Sequence, residues 1–289
     1  MNSTEVKDVM KIGKFSLTPG AERQNQDAFG CSSDRLTSGQ KVHLVVIADG
    51  MGGHSLGNAA SYFAVDYVLK WWHSTIWMND DPTQFLSVCK EKLINLFHEI
   101  NDRLIEIGKL EKKEIGTTLS VILFVEDQYF ICHIGDSRIY RYRANITELE
   151  EPNGDTIDLN KEKTFLQLTV DHSYASMQVE NGLMTTEEAH AHDKAHYLTQ
   201  CMGIKGEVEP YTASGMFTAV DYFLLCTDGF HTLFTDKELS REWTAQLEQQ
   251  QSMENVTAHF YDLTKAKKHS DDATILTVHF PRNMDPDKE

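Results

Sequence analysis

The sequence lacks long apolar runs, paired cysteines and low-complexity linkers, and each absence excludes a class of protein. No apolar run reaches the roughly 18 residues that a membrane-spanning helix needs. The residues after Met1 are polar and contain no apolar core of a signal peptide, which predicts a cytoplasmic location and not export. Because no linker or internal repeat divides the chain, residues 1–289 are predicted to form a single domain.

The cysteines are few, and their spacing does not suggest pairs. There are 5 of them, widely scattered and never in C-x-x-C spacing, which is typical of reduced cytosolic thiols. Cys132 and Cys226 lie inside predicted strands, where a small apolar filler is a better interpretation than a nucleophile. The sequence therefore predicts neither a disulfide framework nor a catalytic cysteine.

Positive charge is also scarce. Lysine and arginine number 27 against 44 acidic residues, which gives a net charge of −17. Such a protein repels nucleic acids and anionic membrane surfaces, so neither is predicted as a partner. If its substrate is an anion, the protein must reverse the field locally, and bound divalent cations are the most direct means.

The most informative local pattern is an apolar strand that ends in an acid and a glycine-rich turn. Residues 45–48 lead into Asp49, glycines follow at 50, 52 and 53, and a helix is predicted over 56–72. Dinucleotide-binding proteins share this order of elements. Here, however, Ser55 stands at the third glycine of G-x-G-x-x-G, and Asp49 would face the pyrophosphate anion. A carboxylate at this position suits a cation.

Acids recur at the ends of other predicted strands. Asp136 lies in the turn between strands predicted over 129–134 and 138–142, and Asp228 follows a strand over 222–226. The acid pair Asp271 and Asp272 precedes a further strand over 273–278. Several acids at strand ends suggest convergence on cations, and oxygen ligands without histidine or cysteine select Mg²⁺ or Mn²⁺ over zinc.

Other segments are less specific. The polar cluster over 23–30 is either a turn or a second group of ligands with an anion-binding arginine. An amphipathic helix is predicted over 82–108, a solvated polar excursion over 145–163, and helix-prone sequence over 171–196. His192 and His196 lie four apart in the last segment, but without an H-E-x-x-H pattern a solvated helix face is preferred to a zinc site.

Seven segments in order carry a family resemblance across nearly the whole chain. They are R-Q-N-Q-D at 23–27, A-D-G-M-G-G-H at 48–54, G-T-T at 116–118, G-D-S-R at 135–138, L-T-V-D-H-S at 168–173, C-T-D-G at 226–229 and D-D-A-T at 271–274. Together they resemble bacterial metal-dependent Ser/Thr protein phosphatases of the type 2C (PPM) family. The resemblance implies an α+β fold, a four-layer α/β/β/α sandwich of two antiparallel β-sheets flanked by helix pairs, with metals in a cleft at one end.

The resemblance also implies a set of metal ligands. By position, Asp49 is similar to the carboxylate that bridges two metal ions, and Gly50 is similar to the residue that supplies a backbone carbonyl. Asp228 and Asp271 would complete the second site. Asp136 would bind a third, weaker ion that it shares with Asp228. The implied cofactors are Mn²⁺ or Mg²⁺.

Catalytic roles follow from the same resemblance. Arg23 would hold the phosphoryl group, although it lies four residues before Asp27 where the family's arginine usually lies five before, at Glu22 here. Asp27 or Gln26 would orient water on the metals. A hydroxide bridging the two ions would then attack phosphorus directly, without a phosphoenzyme. Met51 occupies the position where many eukaryotic members have a histidine, so the general acid is unassigned.

The expected function is hydrolysis of phosphoserine and phosphothreonine in phosphoproteins, by a monomer that opposes a Ser/Thr kinase. Two alternatives stay open. The chain could be a catalytically silent regulatory binding module, although it keeps the acids Asp49, Asp136, Asp228 and Asp271. It could also hydrolyse small phosphoesters, because a metal site does not itself distinguish the leaving group.

Overall fold

The computed structural model describes residues 9–20, 23–52, 55–76, 81–144, 149–150, 156–157, 164–190, 192–204, 206–249 and 251–281. Within these ranges, strands and helices follow one another in the order β1 (Lys11–Leu17), β2 (Asp27–Arg35), β3 (Lys41–Met51), α1 (Ser55–Thr75), α2 (Pro82–Glu111), β4 (Gly116–Thr117), β5 (Leu119–Val125), β6 (Gln128–Ile134), β7 (Arg138–Arg143), β8 (Leu149–Glu150), β9 (Thr156–Ile157), β10 (Thr164–Gln167), α3 (Tyr174–Glu180), α4 (Thr186–His190), β11 (Tyr211–Met216), β12 (Asp221–Cys226), α5 (Asp228–His231), α6 (Asp236–Glu248), α7 (Met253–Ala266) and β13 (Ala273–His279).

Two antiparallel sheets form the centre of the molecule. One has the strand order β1-β13-β12-β7-β10, and the other has the order β11-β6-β5-β3-β2, with β4 paired to the end of β3. The short strands β8 and β9 pair only with each other. None of the helices in the described part of the chain is long and apolar enough to cross a bilayer.

The packing of side chains gives four layers. Val45 and Ile47 of β3 face a cluster between the two sheets, whereas Val46 and Ala48 face α1 and α2 on the outside. Both faces of β3 are therefore buried, which explains why its sequence is continuously apolar over 44–48 and does not alternate there. Helices α6 and α7 cover the outer face of the other sheet, where Trp243 packs with residues of β12 and β13. The predicted α/β/β/α sandwich of two antiparallel sheets is confirmed.

Strand register brings acids from distant parts of the chain together. In the antiparallel pair of β2 and β3, Asp27 lies directly opposite Asp49. On the other sheet, Cys226 at the end of β12 pairs with both Ile275 of β13 and Arg138 of β7. The turns that follow β12, precede β13 and precede β7 consequently lie at one end of that sheet.

Some elements differ from the sequence prediction. The helix-prone segment over 171–196 contains two short helices, α3 and α4, because Gly182 between them adopts a φ of +67° that ends the first. Strands β1 and β11 and helices α6 and α7 were not predicted. The predicted excursion over 145–163 lies outside the described residues except for the backbone of β8 and β9.

Candidate active site

Four of the predicted acids meet where the ends of the two sheets come together. Burial raises the pKa of Asp49 well above its usual value, and the charges of Asp27, Asp228 and Asp136 raise it further. Each of these three carboxylates is thus close enough to affect Asp49. Asp49 also lies within hydrogen-bond reach of Asp228. A group of acids that destabilise one another's charge is a typical location for a bound cation.

The backbone of Asp49 is held by the two threonines of the G-T-T segment. Asp49 donates its N–H to Thr118 Oγ1 at 2.9 Å, and its carbonyl accepts hydrogen bonds from the Thr118 N–H at 2.8 Å and from Thr117 Oγ1 at 2.9 Å. Thr118 Oγ1 also shares a 2.8 Å hydrogen bond with Ser137 Oγ, next to Asp136. The two threonines therefore connect the backbones that carry two of the acids.

Asp27 is buried and hydrogen-bonded, which a residue that only forms a turn does not need. Its side chain is 4% exposed, and its Oδ2 accepts a 2.9 Å hydrogen bond from Thr227 Oγ1. Burial raises its pKa well above the usual value, and hydrogen bonds from Thr274 and Thr227 act in the opposite direction. Its other oxygen, Oδ1, is buried without a hydrogen-bond partner. That oxygen is available to a water molecule or an ion.

The acid pair before β13 divides into an exposed and a buried member. Asp271 has a side chain that is 51% exposed and binds Arg23 Nη2 at 2.6 Å. Asp272 is 2% exposed, its Oδ2 accepts the Gln26 N–H at 2.8 Å, and its Oδ1 has no partner. The sequence interpretation noted both acids and assigned only Asp271 as a ligand. The sequence does not show which of the two adjacent acids is buried, because that depends only on strand register.

Gly50 is required by a close approach of helix α1. A Cβ at Gly50 would lie 2.0 Å from the carbonyl oxygen of Gly57, and a Cβ at Gly57 would lie 2.1 Å from Gln26 Nε2. Contacts this short exclude any side chain at either position. The end of β3 and the first turn of α1 therefore pack backbone against backbone, and the Gln26 side chain lies against Gly57.

Asp136 lies in a tight turn between β6 and β7, and it is 7% exposed. Gly135 adopts a φ of +110°, which disfavours any residue with a side chain. Burial raises the pKa of Asp136 well above its usual value, and the charges of Asp228 and Asp171 add to this effect. Buried histidines contact the same turn. Burial lowers the pKa of His133 and of His231 to about 3, so both are neutral at physiological pH.

A buried ion pair lies under this turn. Arg138 donates to both oxygens of Asp171, with Nη2 at 2.7 Å from Oδ2 and Nε at 3.1 Å from Oδ1, and its side chain is only 14% exposed. Arg138 Nη1 donates to Tyr140 Oη at 2.9 Å, and Gln167 donates to Asp171 at 2.8 Å. The G-D-S-R and D-H-S segments are thus joined by a fully hydrogen-bonded network.

The donor set suits a hard divalent cation. In the part of this region that the structure describes, three buried carboxylate oxygens have no hydrogen-bond partner, namely Asp27 Oδ1, Asp228 Oδ1 and Asp272 Oδ1. Among the described residues, however, no three ligating side chains already stand at metal-binding positions. Asp271 faces Arg23 at 2.6 Å. The chemistry of these carboxylate oxygens fits Mg²⁺ or Mn²⁺.

Other predicted positions are less informative. Met51 ends β3, whereas Gly53 and His54 of the same motif lie outside the described residues. Cys201 is buried near Asp136, and burial raises the pKa of its thiol to about 11. A protonated, buried thiol is a poor nucleophile, in agreement with the sequence interpretation of the cysteines.

Comparison with known proteins gives consistent matches. The family model described as "Protein phosphatase 2C" matches residues 20–264. Protein phosphatase PhpP of Streptococcus pneumoniae is 30% identical over 197 residues, which is 68% of this chain and 70% of that protein. The structure of the S. agalactiae serine/threonine phosphatase superposes with a TM-score of 0.74 at 25% identity, and the match covers 94% of this chain and 99% of that one.

A further structure resembles this chain in fold. It is the catalytic domain of the serine/threonine protein phosphatase PstP in complex with two manganese ions, with a TM-score of 0.69 and 22% identity. The match covers 93% of this chain and 97% of that chain.

Proposed function

The chain belongs to the protein phosphatase 2C family and is a protein-serine/threonine phosphatase, and from this premise we propose how its own residues carry out the reaction. The observation that supports the proposal is the group of mutually interacting acids at the junction of the two sheets. The family is metal-dependent, and its substrates are phosphoproteins. Residues 1–289 would form a single catalytic domain.

We propose that Asp49, the Gly50 carbonyl, Asp228 and Asp271 hold two Mn²⁺ or Mg²⁺ ions, and that Asp136 holds a third. Ions bound there would supply an activated water and would neutralise charge on the phosphoryl group. Arg23 Nη2 lies 2.6 Å from Asp271 Oδ1, so an ion held by Asp271 would compete with Arg23 for this carboxylate. Such competition would make the Arg23 guanidinium more available to an anionic substrate.

Asp27 and Gln26 would orient water at this site. Asp27 Oδ1 and Gln26 Nε2 are both buried atoms without a hydrogen-bond partner. Each of these atoms needs a partner, and a water molecule at the site could supply it to either one. Thr227 fixes Asp27 from the other side at 2.9 Å, so the carboxylate cannot turn away.

The test of the function is a paired assay on two substrate classes. After treatment with EDTA and removal of the chelator, activity toward a phosphothreonine peptide should return with Mn²⁺ and stay absent without it. The specificity constant for the peptide should exceed that for a small aryl phosphate. Equal constants for the two would favour the small-phosphoester alternative. Full activity in excess EDTA would exclude the metal mechanism.

Replacing Arg23 by alanine should mainly raise KM for the phosphopeptide. A charge-assisted hydrogen bond of about 1.5–3 kcal/mol corresponds to roughly ten- to a hundredfold in kcat/KM. The measurement is phosphopeptide kinetics and inhibition by inorganic phosphate at saturating Mn²⁺, so that release of Asp271 does not alter metal occupancy. Arg23→Lys is the matched variant, because it keeps the charge and loses the planar fork.

If Arg23 serves only as the counter-ion of Asp271, the result differs. Both KM and the phosphate Ki of Arg23→Ala would then stay within about twofold of wild type, since an exposed ion pair contributes about 0–1 kcal/mol. Such a result would mean that another residue holds the phosphate.

Replacing Asp136 by alanine should leave two ions bound and slow turnover. Its carboxylate interacts with Asp228 more strongly than with any other charged group. Removing it should therefore affect the ion shared with Asp228 and spare the pair bridged by Asp49. Mn²⁺ stoichiometry by electron paramagnetic resonance, together with kcat, checks this outcome. Unchanged stoichiometry with unchanged kcat would leave Asp136 with a purely structural role.

The opposing partner is proposed to be a Ser/Thr kinase, and the working form to be a cytoplasmic monomer. The net charge of −17 supports substrates that are not nucleic acids. Sedimentation of the purified protein at micromolar concentration would test the monomer, and a mass above that of one chain would contradict it.

A further inference from the structure

His231 lies one helical turn after Asp228 and contacts the backbone of Asp136. It is 6% exposed, and its Nε2 lies 3.0 Å from the Asp136 carbonyl oxygen. A carbonyl only accepts, so Nε2 must carry the proton and donate. A single side chain on α5 therefore links the two strand-end turns that carry Asp228 and Asp136.

Two further histidines hold the neighbouring peptide. His133 is fully buried, and its Nε2 donates to the Gly135 carbonyl at 3.0 Å while its Nδ1 contacts Ser120 Oγ at 2.7 Å. His172 Nδ1 accepts the Gly135 N–H at 3.1 Å, and the His172 N–H donates to the Gly135 carbonyl at 2.7 Å. The two rings stack with centroids 5.3 Å apart. Both backbone groups of Gly135 are thus occupied by histidines.

We propose that His231 is a positioning residue that fixes the Asp136 turn relative to Asp228, and that it sets the affinity for the ion these two acids share. The histidines at 133 and 172 hold the adjacent Gly135. This inference rests on the proposed role of Asp136 as a metal ligand.

The physical reason is that the Asp136 turn needs contacts from outside its own segment to fix its position. The φ of +110° at Gly135 is open to glycine without strain, so the local backbone does not by itself fix where the Asp136 turn lies. The carbonyl of Asp136 is satisfied by His231, which comes from a different element of the fold. Partners that orient metal ligands typically change metal affinity by 10- to 100-fold when they are removed, as a general rule for such sites.

The first experiment compares His231→Leu with His231→Gln. Leucine keeps the apolar bulk and removes the donor, whereas the amide nitrogen of glutamine can take the place of Nε2. Mn²⁺ titration of the folded protein should show the weakest of the bound ions losing about tenfold or more in affinity in His231→Leu. His231→Gln should recover most of that loss. A general loss of stability cannot produce this recovery in affinity per folded molecule.

His279 provides a matched control. It lies on β13 of the same sheet, is half-buried and stacks on Tyr222. Its Nε2–H donates to the Ala219 carbonyl at 2.8 Å. Replacing His279 removes the same kind of hydrogen bond and leaves every acid of the site unchanged. Leucine at this position should leave all Mn²⁺ affinities within twofold of wild type. A loss equal to that of His231→Leu would overturn the inference, because it would reflect general loosening of the sheet.

Asp136→Ala separates failure of the inference from failure of its premise. If Asp136→Ala removes one ion and His231→Leu leaves every affinity unchanged, the positioning role of His231 is wrong while the metal role of Asp136 stands. If Asp136→Ala itself leaves stoichiometry unchanged, the premise is wrong and the inference falls with it. The predicted pattern is loss of the same ion in both variants, with rescue by glutamine at 231.

Discussion

Replacing Asp49 by asparagine is expected to abolish phosphatase activity and metal binding together. Asp49 lies at the centre of the acid group, where the charges of Asp27, Asp228 and Asp136 all act on it. In the proposed arrangement its carboxylate balances two cations at once, so removing one negative charge should release both. Mn²⁺ titration and phosphopeptide hydrolysis of the same preparation measure the two effects, and Asp228→Asn should behave in the same way.

The same substitution is expected to leave the metal-free fold at least as stable as wild type at neutral pH. The pKa of Asp49 in the folded protein lies well above its unfolded value, chiefly through burial. Stability from such a group is fully present below the unfolded pKa and is lost as the pH rises through the folded pKa. Neutral pH lies above the unfolded pKa, so the raised pKa of Asp49 lowers the stability of the wild-type fold there, and asparagine removes that cost.

Thermal unfolding distinguishes loss of the site from loss of the fold. Without metal, the Tm of Asp49→Asn should equal or exceed that of wild type, and adding Mn²⁺ should raise the Tm of wild type alone. Asp262→Asn is a suitable control, since Asp262 is an exposed residue of α7, in the outer helical layer. Equal stabilisation of Asp49→Asn and wild type by Mn²⁺ would contradict the assignment of Asp49 as the bridging ligand.

Elements with strong periodicity were predictable from the sequence. Strand β3 and helix α2 agree with their predictions because an apolar run or a helical repeat identifies them without tertiary information. Strand β11, with the sequence YTASGM and alternating exposure, offered no comparable signal. Helix α6 did offer one, since Thr235 and Glu238 form a capping box that was overlooked.

The site was only partly predictable for a different reason. Acids at strand ends identified Asp49, Asp136 and Asp228 one by one, but their convergence depends on strand pairing between distant segments. The burial of Asp272 depends on the register of β13, and no local pattern reveals that register. The contacts of His172 and His231 to the Asp136 turn likewise come from segments that only the fold brings together, whereas His133 lies two residues before Gly135 in β6.

Replacing Arg138 by leucine is expected to destabilise the protein by about 3–5 kcal/mol, because it leaves Asp171 buried without its partner. The side chains of Arg138 and Asp171 are only 14% and 11% exposed, so solvent cannot compensate for the lost charge. Tyr140 also loses the guanidinium that donates to its hydroxyl at 2.9 Å. The measurement is urea unfolding of the metal-free protein, followed through tryptophan fluorescence.

Two variants establish that the loss comes from an uncompensated buried charge. The double variant Arg138→Leu/Asp171→Leu should recover a large part of the stability, since replacing both members of a buried pair by apolar residues is often nearly neutral. Arg241→Leu breaks an ion pair whose arginine is 74% exposed, and it should stay within about 1 kcal/mol of wild type. If Arg138→Leu costs no more than Arg241→Leu, the ion pair under the Asp136 turn does not support the fold. If the double variant is as unstable as the single one, the arginine acts through packing and its hydrogen bond to Tyr140, and the charge of Asp171 is not the cause.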